Sequence, residues 1–430
     1  MNIRKLFEID YRALGAFRIG IGVLLIVDLV GRAFDLTAFY TDAGVLPRSE
    51  LVTPVWVSGM FSFHTWGGSG FYQGVLFLLA FLLAVLVLVG WRTRWVLLLS
   101  WVFLISLHNR NTIILNGGDH LLRAFIFWSL FLPVGRRYSL DALRSKVKSK
   151  ETLHCSPATF VLLMQMVVLY EFAGFSKLHP YWLKEGSAVF YALASEQMTK
   201  PLGLMMVPFT TVLKALTFGT MFLEIIVPVL AFVSKKTDLI RLILVPVFWA
   251  FHLGLFLTLD LGMFPWVCML GWIPYLPARF WNWFETTRLV KGGTEICGRF
   301  FKPAAKKKGK PGGIPVAPAM IGHVLVLCAF LYVVMWNVKT FKPGFRGVMP
   351  SPLLPVGYAL RLDQRWQLFS PHPSTDLAWH VFVGTLSDGT QVDLLDGEAP
   401  VLWEKPEHVR SIYGGFRWRQ YFKLFLTRAY

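Results

Sequence analysis

The segment YEFAGFSKLHPYW, residues 170–182, ends a long apolar run that begins near Ala158, and it places one cation, Lys177, where a membrane helix should be closing. A lysine within such a helix costs about 2.5–3.5 kcal/mol on insertion scales, but near an end its butyl stem can carry the ammonium to the interface much more cheaply. Two roles are therefore open. An anchor needs only charge at the interface; a general base needs the amine in the last turn before Pro180, facing a cavity where burial favours the neutral form. Glu171 lies six residues earlier, too far round the helix for an i,i+4 partner, so nothing local neutralises Lys177.

Two further stretches carry polar groups at helix ends. HNRNTIILNGGDHLLRAF puts Asn116, Asp119 and His120 where another helix starts, with Asp119 a natural N-cap. His120 and Arg123 are three apart and share one face, which points inward if the arginine is to avoid lipid. A cap explains Asp119 but not those two. In FWAFHLGLFLTLDLGMFPW, residues 248–266, His252 lies inside a helix, where a lone histidine is ordinarily a hydrogen-bonded core residue; a ligand or acid role is the functional alternative. Asp260 and the turn Gly262-Met263-Phe264 follow at its outer end, and Glu224, mid-helix elsewhere, needs an inward partner or a proton of its own. These groups are expected to converge on one cavity at the outer ends of the helices.

Composition says what positions them. With 430 residues, 55% hydrophobic, only 16% charged and a mean hydropathy of +0.53, the chain reads as an all-α polytopic membrane helix bundle. Nine runs suit a hydrocarbon layer of roughly 30 Å: 13–33, 72–90, 93–109, 120–135, 158–177, 212–233, 240–258, 262–280 and 318–337. The fourth is short with an arginine inside and the eighth is broken by prolines, so both point to a protein-lined cavity. The net charge of +18 sits in short basic clusters between apolar runs, which argues for cytoplasmic loops and against nucleic acid. Placing the N-terminus inside puts the basic loops at 91–94, 135–150, 234–241 and 279–310 on one side, so the expected topology is N-in, C-out. The first apolar run is long and lacks a clear small-residue cleavage site, and so reads as a retained helix.

The expected division is a bundle of about eight helices over 1–284, a basic cytoplasmic linker at 285–317, a ninth span at 318–337 and a small β-rich extracytoplasmic domain at 338–430. Within the last, WHVFVGTLSDGTQVDLLDG alternates about an Asp-Gly turn and predicts a hairpin, while DQRWQLFSPHPS is aromatic and proline-rich and is expected to pack against the bundle. The four cysteines show no Cys-x-x-Cys or Cys/His ligand spacing and read as free thiols; no HExxH, G-x-S-x-G or P-loop is present, which sets aside the usual hydrolase and ATPase chemistry.

These residues carry a resemblance. FAGFSKLHPYW resembles the helix-end motif of the vitamin K-dependent γ-glutamyl carboxylases, an apolar-Ala-Gly-x-x-Lys-Leu segment followed shortly by a tryptophan, here Trp182. NGGDHLL is similar to that family's Asn-Asn-His segment, and FHLGLFLTLDLGMFPW to its Phe-His followed by a Gly-Met-Phe turn. The three matches occur in order within residues 8–285, the horizontally transferred transmembrane (HTTM) domain. The resemblance implies Lys177 as the base that deprotonates a reduced, vitamin K-like quinone, His120 as its polar partner, and Asp119 in the position of an asparagine. It implies a substrate- or quinone-binding set of Asn116, Asp119, Arg123, Trp182, His252, Met263 and Phe264. In that chemistry the deprotonated quinol reacts with O2, the resulting strong base removes a glutamyl γ-proton, and CO2 adds to the carbanion; no metal takes part. Implied partners are membrane lipid, the quinone and a secreted or membrane peptide, with no nucleic acid; the implied location is a bacterial inner membrane with the site and C-terminus outside. Two features depart from the animal carboxylases: only about 90 residues follow the last span, without an evident peptide groove, and an aspartate replaces the asparagine. A non-catalytic HTTM protein that binds, matures or exports a lipid or secreted peptide is equally permitted by the resemblance.

Overall fold

Asp10 opens the first long helix by accepting the main-chain N–H of Arg12 at 2.8 Å. The computed structural model describes residues 3–51, 56–145, 151–232, 236–287, 316–341, 343–375, 378–394, 397 and 399–427; most of the linker expected at 285–317, with Cys297, lies outside them. The main helices are α1 (Tyr11–Ala33), α2 (Gly70–Val89), α3 (Thr93–Arg110), α4 (Gly117–Ser129), α5 (Pro157–Ser176), α6 (Thr210–Ile225), α7 (Thr237–Thr258), α8 (Phe264–Gly271), α9 (Val316–Phe341) and α10 (Phe416–Thr427). Five are long and apolar enough to cross a membrane: α1, α2, α5, α7 and the Met320–Phe341 part of α9.

The expected spans at 120–135 and 262–280 are corrected to half-length helices. At about 1.5 Å per residue, the 13 residues of α4 and the eight of α8 fall well short of the bilayer core. Physical reasons are local. The chain leaves α4 through Leu130 and Pro133, and α8 gives way to a 3-10 turn, Ile273–Tyr275, that contains Pro274 and is soon followed by Pro277. The expected span at 212–233 also breaks after Ile225, at Pro228.

Interactions gather at two ends of the bundle. At one, Ile9–Asp10 pairs antiparallel with Leu153–His154, Arg12 bonds Glu285 at 3.0 Å, and the Asp141 carboxylate accepts the N–H groups of Arg92 and Thr93 at 2.8 Å each. Buried Arg18 there donates to the carbonyls of Val87 and Leu88, satisfying the open end of α2. At the other end meet residues 28–35, 108–120, 177–200, 259–264, 361–372 and 410–419. Near it, His64 is 1% exposed and shares a 2.7 Å hydrogen bond with Gln73. Burial, helped by the charges of Arg110 and Arg32 and opposed by that bond, pushes the His64 imidazole down to about 4. The unfolded chain therefore takes up a proton from pH 6.5 downward while the folded chain does not until about 4, so stability falls across that window by roughly 3 kcal/mol. His64→Gln is expected to flatten this acid limb, measured by melting temperature against pH.

The tail is not β-rich. Among the described residues it holds one hairpin, Val383–Thr385 with Gln391–Asp393, placed about Asp388-Gly389 as the alternation predicts; the rest is helix and coil. The aromatic, proline-rich segment enters the bundle. A short helix, Leu354–Leu360, packs along α9 until the backbone turns at Arg361 (φ 51°). The chain then crosses to the middle of α5, where Gln364 accepts from Gln165 at 3.0 Å while Gln165 accepts from Trp128 of α4 at 2.9 Å. Trp366 is 1% exposed in the main core, and the chain turns again at Phe369 (φ 55°). We call residues 361–372 the strap. Cys155, Cys268 and Cys328 are free thiols.

Candidate functional site

Lys177 is the C-cap of α5, a helix that opens with Pro157 and a Ser156/Thr159 capping box and stops as the chain turns toward Pro180. The residue is 1% exposed, and its ammonium donates to Glu224 of α6 at 2.6 Å and to the carbonyl of Ala173 at 3.3 Å. The Trp182 ring lies 5.4 Å from it. The two groups that local sequence left unpaired, Lys177 and Glu224, thus answer each other across 47 residues. Gly174 makes the contact possible, because a Cβ there would stand 2.6 Å from Ile225 and 3.3 Å from Glu224, and a larger side chain would hold α5 off α6.

Asn116, not Asp119, is the N-cap of α4. Asn116 adopts the extended conformation that lets its side chain accept the N–H groups of Gly118 (2.6 Å) and Asp119 (3.3 Å), while Asp119 reaches back to the Asn116 N–H at 2.8 Å. The other oxygen of Asp119 is held by Arg32 of α1 at 2.6 Å, so the carboxylate at the asparagine position spends its charge on Arg32 and not on Lys177. Arg32, fully buried, also bonds Asp28 at 2.7 Å and Tyr40 at 2.8 Å. Arg417 of α10 joins Asp28 at 2.5 Å and stands 3.8 Å from Asp119. Arg123 bonds His108 at 2.8 Å and lies 3.3 Å from His120, whose Nδ1 also faces the carbonyl of Asp363 at 3.2 Å. A neutral imidazole has one acceptor nitrogen. His108 therefore accepts from only one of the two guanidinium groups it lies between, Arg123 at 2.8 Å from Nδ1 and Arg32 at 3.2 Å from Nε2, with Asp119 3.7 Å from Nε2. Asp28, His108 and Asp119 could present three ligand atoms within 4.8 Å, but Arg32 and Arg417 already stand against both carboxylates, so the trio does not suit a metal cation.

The structure keeps the sequence-derived residues in two clusters. His252 bonds Tyr170 at 2.6 Å, and Tyr170 accepts from Trp272 at 3.1 Å, as expected of a core histidine; among the described residues the His252 Nδ1 has no partner. Phe264 sits edge-on to His252 at 5.9 Å and covers Gly117 and Gly118, where a Cβ on Gly118 would lie 2.8 Å from the Phe264 nitrogen. Met263 packs at the edge of the same core. Among the described residues no hydrogen bond or ion pair joins Lys177 to His120. The strap runs between them instead: its Asp363 carbonyl meets His120 and its Phe369 packs at the edge of the Trp182–Ala188–Met221 cluster. Six residues of chain reach at most about 20 Å, so these two contacts of the strap lie within that distance of each other. Sequence reasoning missed Asp28, Arg32, His108, Asp363 and Arg417. The pair Asp28 and Arg32, four apart in an apolar helix, was a legible signal, since charges in such a helix demand partners.

No curated protein and no solved structure matches the chain. Residues 7–280, nearly two thirds of it, match the HTTM domain. A polytopic helical bundle with a buried lysine and a capped Asn-Gly-Gly-Asp-His turn over that span is thereby placed: the chain belongs to the HTTM domain family, a family of membrane domains associated with vitamin K-dependent carboxylase.

Proposed function

We propose that the chain is an integral-membrane, vitamin K-dependent carboxylase-like enzyme that couples oxygenation of a reduced quinone to carboxylation of a glutamyl or related acceptor. One observation carries the reading: Lys177 is 1% exposed and paired with Glu224, whereas a snorkelling anchor would present its ammonium at the surface. An amine and a carboxylate 2.6 Å apart can exchange a proton, so the pair exists as ammonium and carboxylate or as free amine and acid. Only the second form offers a base. Lys177 then takes the proton of the quinol hydroxyl, and Glu224 holds the one Lys177 gave up. The reduced quinone, with O2, supplies the stronger base that takes the acceptor's γ-proton before CO2 adds.

The remaining residues orient. Trp182 and Phe264 offer apolar surface; Asn116, Asp119 and Arg123 fix the turn that carries His120. Charge bias supports the N-in, C-out arrangement, which puts this site and the tail outside a bacterial inner membrane, facing a secreted or membrane peptide.

The test uses purified protein with reduced naphthoquinone, O2 and labelled bicarbonate, comparing wild type with Lys177→Ala and Lys177→Arg. Quinone epoxide is expected from wild type and from neither variant, because guanidinium keeps its proton. Absence of epoxide from wild type with every quinol tried, together with a folded and functional Lys177→Arg, removes the enzyme and leaves a non-catalytic binding or export protein.

A further inference from the structure

The end of the bundle that carries the basic loops holds a cavity of about 140 Å3 lined by Asp10, Arg12, Arg137, Thr152 and Glu285. Three of these side chains are committed to one another. Arg12, 7% exposed, donates to Asp10 at 2.9 and 2.7 Å and to Glu285 at 3.0 Å, and the second oxygen of Glu285 accepts from Tyr138 at 3.0 Å. The other two are not. Among the described residues, neither the Arg137 guanidinium nor the Thr152 hydroxyl has a hydrogen bond or ion pair. The neighbouring cation makes the contrast: Arg136 bonds the Tyr11 hydroxyl at 2.5 Å and Glu151 at 3.2 Å and lies over the Tyr11 ring. The backbone behind Arg137 is nevertheless fixed. Its carbonyl would stand 2.7 Å from a Cβ on Gly15 of α1, and the next residue, Tyr138, turns the chain in the left-handed region at φ 52°. Thr152 is held likewise, its carbonyl accepting the Tyr11 N–H at 2.9 Å. The cavity thus combines firm walls with two uncommitted donors.

Position and charge define what suits it. Asp10 and Arg12 flank Tyr11, where α1 begins, and Thr152 stands just ahead of α5; both helices are long and apolar enough to span, so the cavity lies at the level of lipid head groups. Leu153 and Trp283 are exposed in the same two segments, as apolar and indole groups are at a lipid boundary. Two acids and two arginines line the cavity, so a lone anion meets Asp10 and Glu285, and a lone cation meets Arg12 and Arg137. A group bearing both charges matches the wall. We propose that the cavity binds a phosphoethanolamine group, with the phosphate on Arg137 and Thr152 and the ammonium beside Glu285, whose side chain is 41% exposed. A guanidinium fork fits phosphate oxygens through parallel hydrogen bonds, and the threonine hydroxyl donates one more. A primary ammonium donates to the carboxylate, which a quaternary one cannot do. Membrane phospholipid and soluble phosphoethanolamine both carry this group. The site lies at the opposite end of α1 and α5 from Arg32 and Lys177, so it does not rest on the quinol reading.

The test uses the full chain, stripped of lipid in detergent. Binding of dioleoylphosphatidylethanolamine is read by native mass spectrometry beside the phosphatidylglycerol and phosphatidylcholine of the same chains. Wild type is expected to hold the ethanolamine lipid about tenfold more tightly than either, the worth of one charge-assisted pair. Arg137→Ala is expected to lose about tenfold and Thr152→Val about threefold. Arg94→Ala, which removes an exposed arginine at the same end but off the cavity, is expected to lose nothing. Neither the Arg137 nor the Thr152 side chain has an internal bond to lose among the described residues, so both variants keep the melting temperature of the lipid-free parent. Glycerophosphoethanolamine separates the two sources. Thermal stabilisation by it, lost in Arg137→Ala, assigns a soluble ligand, and lipid binding without it assigns the membrane; either result upholds the group. Equal affinity for the three lipids, affinity unchanged in Arg137→Ala, or an equal loss in Arg94→Ala overturns the proposal and leaves a water-filled cleft.

Discussion

Glu224→Ala, made with Lys177 in place, is expected to cost roughly 3–5 kcal/mol, whereas the double replacement Lys177→Met with Glu224→Leu is expected to return to within about 1 kcal/mol of the parent or above it. Both side chains are nearly fully buried and, among the described residues, the ammonium has besides Glu224 the Ala173 carbonyl and the face of Trp182. Removing the carboxylate strands a charge in apolar surroundings; removing both groups replaces a desolvated pair by packing. Detergent-solubilised protein melted side by side for the two singles and the double gives the coupling directly. Equal losses in the single and the double would mean that water reaches the pair. Glu224→Gln keeps the shape and tests the chemistry, because an amide cannot take the proton that Lys177 must give up.

Arg32→Met is expected to have the larger effect, a loss of about 5 kcal/mol or more, enough to abolish accumulation of folded protein. Asp28, Asp119 and Tyr40 accept from this one guanidinium, which also faces His108 Nε2 at 3.2 Å and is fully buried. Arg32→Lys is expected to rescue little, since a single ammonium cannot reproduce the planar fork that reaches α1, α4 and Tyr40 together. Arg417→Met should cost less, roughly 2 kcal/mol, because its side chain is 13% exposed and Arg32 continues to serve both carboxylates. Restoring part of the loss by adding Asp28→Asn to Arg32→Met would show that stranded charge, not lost packing, is responsible. Expression level and melting temperature across the four variants measure this.

Much of the arrangement was readable where physics is local. Apolar run lengths gave the helical membrane bundle, Arg123 and the 265–277 prolines marked the two half-length helices, and the Asp-Gly turn located the hairpin. Lys177, His120 and Phe264 were singled out because polar or turn-forming residues at helix ends in an apolar chain need a reason to be there. What stayed hidden is pairing between helices. Periodicity says that Glu224 faces inward but not that it meets a lysine 47 residues away, and nothing within one helix tells Asp119 that its charge belongs to Arg32. The cap was misassigned from Asn116 to Asp119 because both residues favour that position and only their dihedrals distinguish them. The strap is expected at the bundle, yet its depth is not legible: Gln364 lies inside because Gln165 of α5 exchanges two hydrogen bonds with it and Trp366 donates a third, and the partner on α5 is 199 positions away.

Arg417 reaches Asp28 across 389 positions of sequence. At roughly 5–20 residues per second, synthesis separates the two by about 20–80 s, during which α1 and α4 are already made and share a single arginine between two acids. The first helices must therefore wait in the membrane as a loosely compensated intermediate, and the far end of the bundle locks only when α10 has been delivered to it. Assembly of this protein is ordered by its tail, so a ribosome that stalls late leaves behind a chain with every long helix in place and its charge network still open.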